Sequence, residues 1–484
     1  MTAPVRQLGL IVTAAIVVAN MIGTGVFTST GFQAASLHDP QTILLCWVVG
    51  GVVALCGAAT YAELGSMMPK AGGEYVYLRE AYHPAVGFMS GWVSLTAGFS
   101  APIAVAALAF SRYLGTLIPA VGGAPWWSAS IDLGFVDFMV RIGPAQGVAM
   151  VLILALAALH SFDAKIGGWV QAAFTAAKVL LIVLFILGGL LLGKGDWSNF
   201  ASRDGGFDNV TTTAFATSLM YVSFAYSGWN AAAYIAGEVR QPDRTIPRAL
   251  LLGTGSVIIL YVLLNLVFLY AVPAPQLASG AGGGPVFEVG DVAARALFGN
   301  SAGQLVTSVI ALALVSAVSA MVMAGPRVYA AMARDHALPR QLAHHNKRGV
   351  PVTAVITQGV LGCLFVLVGD PEKLIRFVGF TLAVFAGLAV AAVFILRARG
   401  FTSAYRTTGY PITPLLFIAL SVWIAYAQIK DRPVEAAAVG IVLGVGALVY
   451  WFTIGRKPPV DPDAEPAAGP VAIPEARVVS DDRA

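Results

Sequence analysis

Apolar stretches of bilayer-spanning length recur along almost the whole chain, and they leave few folds open. They run at residues 8–33, 41–66, 84–118, 143–162, 166–192, 210–238, 248–272, 301–333, 351–369, 374–396, 412–429 and 434–455. Each is at least as long as the roughly 17 residues a helix needs to cross the hydrocarbon. Lipid offers no partner for backbone N–H and C=O groups, so continuous runs of this length fold as helices. The spacing therefore predicts an all-α integral membrane protein of about twelve transmembrane helices. Composition agrees: 11% of the residues are charged, against about 25% in a soluble domain, and the mean hydropathy is +0.78.

The polar residues orient the chain. Arg6, Lys70, Arg79, Lys165, Arg240, Arg244, Arg248, Arg334 and Arg340 fall in connections on the N-terminal side, with Lys347, Arg348, Arg397, Arg399 and Arg406. The opposite loops carry about half as many, and the positive-inside bias then puts both termini in the cytoplasm of a cell (inner) membrane protein. Residues 1–7, with a single Arg6, form a short cytoplasmic N-terminus and no signal peptide. Residues 456–484, rich in Pro, Ala and acidic side chains, read as a disordered cytoplasmic tail. The dispersed basic residues imply no nucleic-acid partner. Cys46, Cys56 and Cys363 lie inside apolar runs, so no disulfide framework is expected. Pro69 to Tyr82 suits a short interfacial helix. The segment from Asp335 to Val350 reads as a solvated loop, because His336, His344 and His345 have no carboxylate or cysteine at ligand spacing and so imply no metal.

The first span is interrupted. Met21-Ile22-Gly23-Thr24-Gly25-Val26-Phe27 places two glycines and a threonine near its middle, where Gly weakens a helix. A Gly-x-Gly there serves either close helix packing or a break whose freed backbone binds something. The sixth span repeats the feature at Phe224-Ala225-Tyr226-Ser227-Gly228-Trp229-Asn230. Each interruption opens a block of five spans, 8–192 and 210–396, and the odd number makes the second block run inverted. Paired interruptions in two halves point to a site between inverted repeats. Residues 412–455 add helices 11 and 12.

At a break, one half-helix offers N–H groups and positive dipole, and the other offers carbonyls. A zwitterion such as an α-amino acid uses both. N–H groups around Thr24 and Gly25 suit a carboxylate, and carbonyls near Met21 and Phe224 suit an ammonium. On this reading Gly25→Val blocks the ligand without preventing folding.

The stretches MIGTGVF, ATYAELGSMMPKAGGEYVYLREAY, FAYSGWNAAAYIAGEVRQPDRTIPRAL and AGPRVYAAMARDHALP together resemble the amino acid–polyamine–organocation (APC) superfamily of permeases. They are most similar to bacterial amino acid permeases and to L-type amino acid transporter light chains, over about residues 8–455. The resemblance implies a LeuT-type 5+5 inverted repeat with helices 1 and 6 broken, plus two C-terminal helices. It assigns Gly23, Thr24 and Gly25 to the substrate carboxylate, Phe224 to a gate over the substrate, and Asn230 to the unwound sixth helix. Met21, Ala225, Ser227 and Gly228 complete the candidate set. Light chains carry Gly-Gly where this chain has Ser227-Gly228, so a hydroxyl here narrows the pocket or adds a contact. The heavy-chain disulfide of those relatives starts from the loop between spans 3 and 4. That loop has no cysteine here, so no such partner is expected.

Lys178 stands about 20 Å beyond Lys165 along the fifth span at 1.5 Å per residue, too deep for easy snorkelling. An intramembrane cation is a functional candidate. The resemblance makes it the substitute for sodium in sodium-coupled relatives, and its burial leaves a proton-coupling role as the alternative. Glu63, Glu238 and Arg327, toward the inner ends of spans 2, 6 and 8, are candidates for an inner gate, and Arg112 is expected to snorkel outward. No nucleophile–base pair, metal cluster or cofactor motif stands out, so no enzyme is expected. The expected function is secondary transport of L-amino acids by alternating access, sodium-independent, by exchange or proton coupling. The cargo is expected to be neutral because no intramembrane carboxylate lies near either interruption in the sequence. The alternatives are a carrier of polyamines or cationic amino acids, and an amino acid sensor with a transporter fold.

Overall fold

The computed structural model describes residues 8–69, 72–132, 137–162, 164–201, 206–280, 283–334, 338–346 and 348–453. The N-terminal segment 1–7 and the tail at 456–484 lie outside the described residues, as do Lys70, His336 and Lys347.

Among the described residues nine helices are long and apolar enough to cross a membrane, or ten when one bent pair is taken as a single span. That pair is α1 (Leu10–Met21) and α2 (Gly25–Leu37), whose directions differ by about 40°. After it come α3 (Pro40–Met67), the short α4 (Glu74–Ala81), and α5 (Pro84–Val93) running through a π-helical turn, Ser94–Ser100, into α6 (Ala101–Leu117). A hairpin of β1 (Trp127–Asp132) and β2 (Asp137–Ile142) precedes α7 (Pro144–Phe162) and α8 (Ala164–Leu191). The sixth apolar segment holds α9 (Thr213–Tyr226) and the one-turn α10 (Ala231–Tyr234). Then follow α11 (Pro242–Ala271), the short α12 (Ala274–Ala278) and α13 (Val289–Arg334), which turns sharply at Gly299 where φ is 79°. The 17-residue α14 (Val352–Val368), α15 (Pro371–Ala398), α16 (Ile412–Asp431) and α17 (Pro433–Thr453) complete the described chain.

Local chemistry sets most of these boundaries. Pro40, Pro84, Pro144, Pro242, Pro371 and Pro433 each open a helix, where the missing N–H is no loss. Asp39 and Asp370 cap α3 and α15 by accepting from the N–H groups of Thr42 and Glu372 at 2.8 and 2.9 Å. Inside the bundle α6 is lined with Ala101, Ala104, Ala106, Ala107 and Ala109, all fully buried, and such small side chains let membrane helices approach closely. On the outside, Val151 and Leu154 of α7, Leu180 and Leu184 of α8, and Leu448, Trp451 and Phe452 of α17 are exposed. That apolar surface suits lipid, and the protein is an integral membrane protein.

Three expectations change. Among the described residues the regular structure is helical apart from the β1–β2 hairpin, paired from Trp127 with Ile142 to Asp132 with Asp137, so all-α holds for the spans only. The helix in the Pro69-to-Tyr82 connection forms, but it is not interfacial: Glu74, Tyr75, Val76, Tyr77, Leu78 and Ala81 are buried. Arg112 does not simply snorkel. Its Nε donates to Glu288 at 2.6 Å and its guanidinium lies 4.3 Å from the centre of the Phe287 ring.

Candidate functional site

The first break is three residues long. α1 ends at Met21, Ile22 is extended (φ −72°, ψ 92°), and α2 starts at Gly25. A helix end leaves carbonyls unpaired, and here tertiary partners take most of them. The Lys178 ammonium, 1% exposed, donates to the Ala19 and Ile22 carbonyls at 2.6 and 2.7 Å. The Tyr261 hydroxyl donates to the Met21 carbonyl at 2.7 Å. The Asn20 carbonyl is left without a hydrogen-bond donor among the described residues and faces Gly228. On the other side of the break the first N–H groups of α2, at Gly25 and Val26, have no backbone acceptor.

The second break runs from Ser227 to Asn230. Ser227 caps α9 by donating its N–H to the Phe224 carbonyl at 3.1 Å. Gly228 has φ 97°, and a Cβ there would sit 2.7 Å from the Asn20 oxygen, so the turn needs glycine for both conformation and space. Trp229 packs edge-on against Tyr61 (4.7 Å) and Phe417 (6.0 Å between ring centres). Asn230 Nδ2 donates to Glu74 Oε1 at 2.7 Å and to the Tyr234 hydroxyl at 3.1 Å, and Tyr61 donates to the same Glu74 oxygen at 2.7 Å.

The two breaks thus meet, Asn20 against Gly228 and Gly25 against Ala225. At Gly25 the contact is backbone on backbone, since an added Cβ would overlap the Ala225 Cα. Gly25→Val therefore disturbs helix packing whatever the ligand does, and it does not separate the two roles of this glycine. Gly23 differs: a Cβ there would meet only the Met21 oxygen, at 3.8 Å.

A cavity of about 120 Å³ opens beside the second break. Among the predicted residues it is lined by Ser227, Gly228 and Asn230, but not by Met21, Gly23, Thr24, Gly25, Phe224 or Ala225. The carbonyls of Met21 and Phe224, expected to receive an ammonium, already accept from Tyr261 and Ser227. Two further contributors went unnoticed in the sequence. One is the π-helical turn, which brings Ser94, Gly98 and Phe99 to the cavity wall; π-bulges are frequent at functional sites, but no residue pattern announces one. The other is Glu74, which lines the cavity although it belongs to a polar connection. The Gly72-Gly73 pair before it, with φ of 127° and 50°, was the available signal, because such a reversal can fold the next residues inward. A carboxylate from a connection thus stands beside the second interruption, although none lies near it in the sequence. Burial holds the Glu74 carboxyl above the ordinary carboxylate range, against the opposing pull of its hydrogen bonds from Tyr61, Asn230 and Tyr234.

The inner-gate candidates divide. Glu238 and Arg327 approach to 3.8 Å with both side chains well exposed. They line a second cavity of about 250 Å³ with His160, Arg334 and His345. Tyr234 borders both cavities. Glu63 is elsewhere: Arg397 clasps it through Nε and Nη2 at 2.7 Å each, and Thr407 donates to it through N at 2.7 Å and Oγ1 at 2.6 Å. It anchors the connection between α15 and α16.

Several known proteins match the chain over nearly its full length. The chain is 29% identical over 457 residues to the serine/threonine exchanger of Bacillus subtilis (strain 168), covering 93% of this chain and 97% of that protein. It is 30% identical over 458 residues to the human b(0,+)-type amino acid transporter 1, covering 92% and 87% respectively. To the cystine/glutamate transporter of Pongo abelii it is 28% identical over 458 residues, covering 94% and 86%. These proteins are transporters and exchangers, not enzymes. The family profile described as amino acid permease matches residues 8–455, and the chain belongs to that amino acid permease family.

Proposed function

We propose that the protein carries small neutral L-amino acids across the cell membrane by alternating access, without sodium, with both termini in the cytoplasm. The observation that carries this reading is the pair of facing helix breaks beside a small cavity. Free N–H groups at the start of α2 suit the substrate carboxylate, and the unclaimed Asn20 carbonyl suits its ammonium. Gly23, Thr24 and Gly25, which stand outside the cavity wall in this conformation, then bind through backbone when the breaks part, while Met21, Phe224 and Ala225 shape the break.

Cargo size follows from the cavity. About 120 Å³ is small beside the roughly 300–1,000 Å³ of drug-sized sites. Its wall includes the hydroxyl-bearing residues Ser223, Ser227 and Ser421. Such groups favour a side chain that is short or itself hydroxylated, in keeping with the serine/threonine exchanger among the relatives. A cationic cargo is the second reading, favoured by Glu74 alone.

The architecture that fits is twelve spans in two inverted blocks, 8–192 and 210–396, followed by 412–455. α9 with α10 supplies the sixth span and α14 the ninth. Lys178 fills the place of a sodium ion by donating to the carbonyls of the first break. Glu238 and Arg327 form the inner gate, whose separation opens the lower cavity. Cys46, Cys56 and Cys363 are free and lie on α3 and α14, not in the connection between α6 and α7, so a disulfide-linked heavy chain is not part of the reading.

Counterflow into proteoliposomes loaded with unlabelled amino acid tests the proposal, using a panel of labelled amino acids with putrescine added. Uptake of alanine, serine or threonine in preference to leucine, lysine and putrescine is the expected outcome. Preference for lysine or putrescine would establish the second reading. Saturable binding with no flux for any compound would make the protein a sensor.

A further inference from the structure

Glu74 is a buried acid on the wall of the central cavity, and the transport cycle above does not use it. It is 5% exposed and sits at the start of α4, outside the spanning helices. Its two oxygens are unequal. Oε1 accepts from the Tyr61 hydroxyl and the Asn230 amide, each at 2.7 Å. Oε2 receives neither of these two hydrogen bonds, the Tyr234 hydroxyl being the remaining polar neighbour that pulls on the carboxyl, and the residue lines the central cavity. That arrangement serves both protonation states: Oε1 accepts in either, and Oε2 is where a proton is gained or lost.

No cation neutralises it among the described residues. Tyr61 of α3, Tyr77 of α4 itself and Tyr234 of α10 face it, and all are neutral donors or acceptors at ordinary pH. On α4 itself Arg79 pairs with Glu80, and on α15, which packs against α4, Arg397 holds Glu63; Arg399, just after α15, donates to the Glu80 carbonyl. The exit is also in place. Tyr234, bonded to Asn230, borders the inner cavity that holds His160 and Glu238. Lys178, the other buried ionisable group near the breaks, already donates to two carbonyls.

We propose that Glu74 is a proton-binding site that couples amino acid uptake to proton entry. The carboxylate takes a proton through Oε2 from the central cavity while that cavity faces outward. Neutral acid and substrate then move together through the occluded state. Opening of the inner cavity lets the acid lose the proton past Tyr234 and return to the carboxylate. One proton enters with each substrate cycle and no other bond changes. This rests on the carrier reading above.

Proteoliposomes holding the pH dye pyranine test it, with L-serine as the probe. Wild type is expected to accumulate L-serine under an inward proton gradient without internal amino acid, and to acidify the lumen as it does so. In Glu74→Gln the ratio of gradient-driven accumulation to counterflow is expected to fall about ten-fold or more. Tyr61→Phe removes one donor to the carboxylate, which raises its pKa, so gradient-driven uptake should persist to external pH higher by about half a unit. A purely structural role would leave that midpoint unmoved. Wild-type counterflow with no luminal acidification would overturn the proposal while leaving the carrier reading intact. So would an unchanged ratio in Glu74→Gln, or an unmoved midpoint in Tyr61→Phe, which decides the matter if Glu74→Gln does not fold. Absence of L-serine counterflow in wild type would instead defeat the carrier reading and the proposal with it.

Discussion

Lys178 illustrates how one residue holds a broken helix open. A break in a spanning segment strands carbonyls in a place without water, and each buried unsatisfied group costs about 1–3 kcal/mol. The ammonium satisfies the Ala19 and Ile22 carbonyls together. Lys178→Met should lower thermal stability and cut counterflow by about ten-fold or more; Lys178→Arg should not restore it, because a planar fork does not replace a compact ammonium. Thermal unfolding in detergent and proteoliposome counterflow read the two effects. Gly228 carries a comparable constraint without charge. Its φ of 97° and the Asn20 oxygen 2.7 Å from a Cβ position make Gly228→Ala strained by about 1–3 kcal/mol. Substrate affinity should weaken by roughly ten-fold, since the Asn20 carbonyl moves. Gly147→Ala, where a Cβ meets nothing, should leave affinity as it is and serves as the control.

Between elements, the contact of α2 with α9 separates two glycines that look alike in sequence. Gly25 is where the helices touch, and Gly23 lies in the turn with space around it. Gly25→Ala should therefore reduce stability in the absence of any ligand, by about 1–3 kcal/mol for overpacking. Gly23→Ala should fold with near wild-type stability and lose substrate affinity. Melting curves with and without amino acid distinguish these outcomes: equal loss of both quantities in the two variants would sink the division. The same scale explains Glu63. In the sequence it groups with Glu238 and Arg327 because all lie near inner span ends. Helix direction gives depth but not azimuth, and the Arg397 guanidinium that reaches Glu63 is 334 residues away.

For the whole molecule, the proposed role of Lys178 in place of sodium predicts a cycle that does not need the ion. Replacing sodium by choline on both sides of the vesicle should leave the initial rate of counterflow unchanged within error. A rate that collapses in choline would show that Lys178 does not do the work of the ion. Alternating access also requires that the Glu238–Arg327 contact be weak enough to break. Its 3.8 Å separation and exposed side chains suit a surface pair worth about 0–1 kcal/mol.

Much of this was legible in the chain. Lipid forces continuous apolar runs into helices, so span positions follow from the pattern of apolar runs, and prolines mark many starts. The two interruptions were readable because Gly, Thr, Ser and Asn stand out in apolar sequence. What stayed hidden depends on pairs far apart. Glu74 meets Asn230 across 156 residues, and Lys178 meets Ala19 across 159. No local pattern encodes such contacts, and a polar connection such as the one holding Glu74 reads as surface until packing buries it. By itself the sequence determined that the protein spans the membrane, where two spans break, and that the breaks suit a zwitterion. Only the tertiary structure decided that Gly25 packs, that Asn20 keeps its carbonyl free, and that an acid stands at the cavity. A backbone group's availability depends on which distant side chains reach it first.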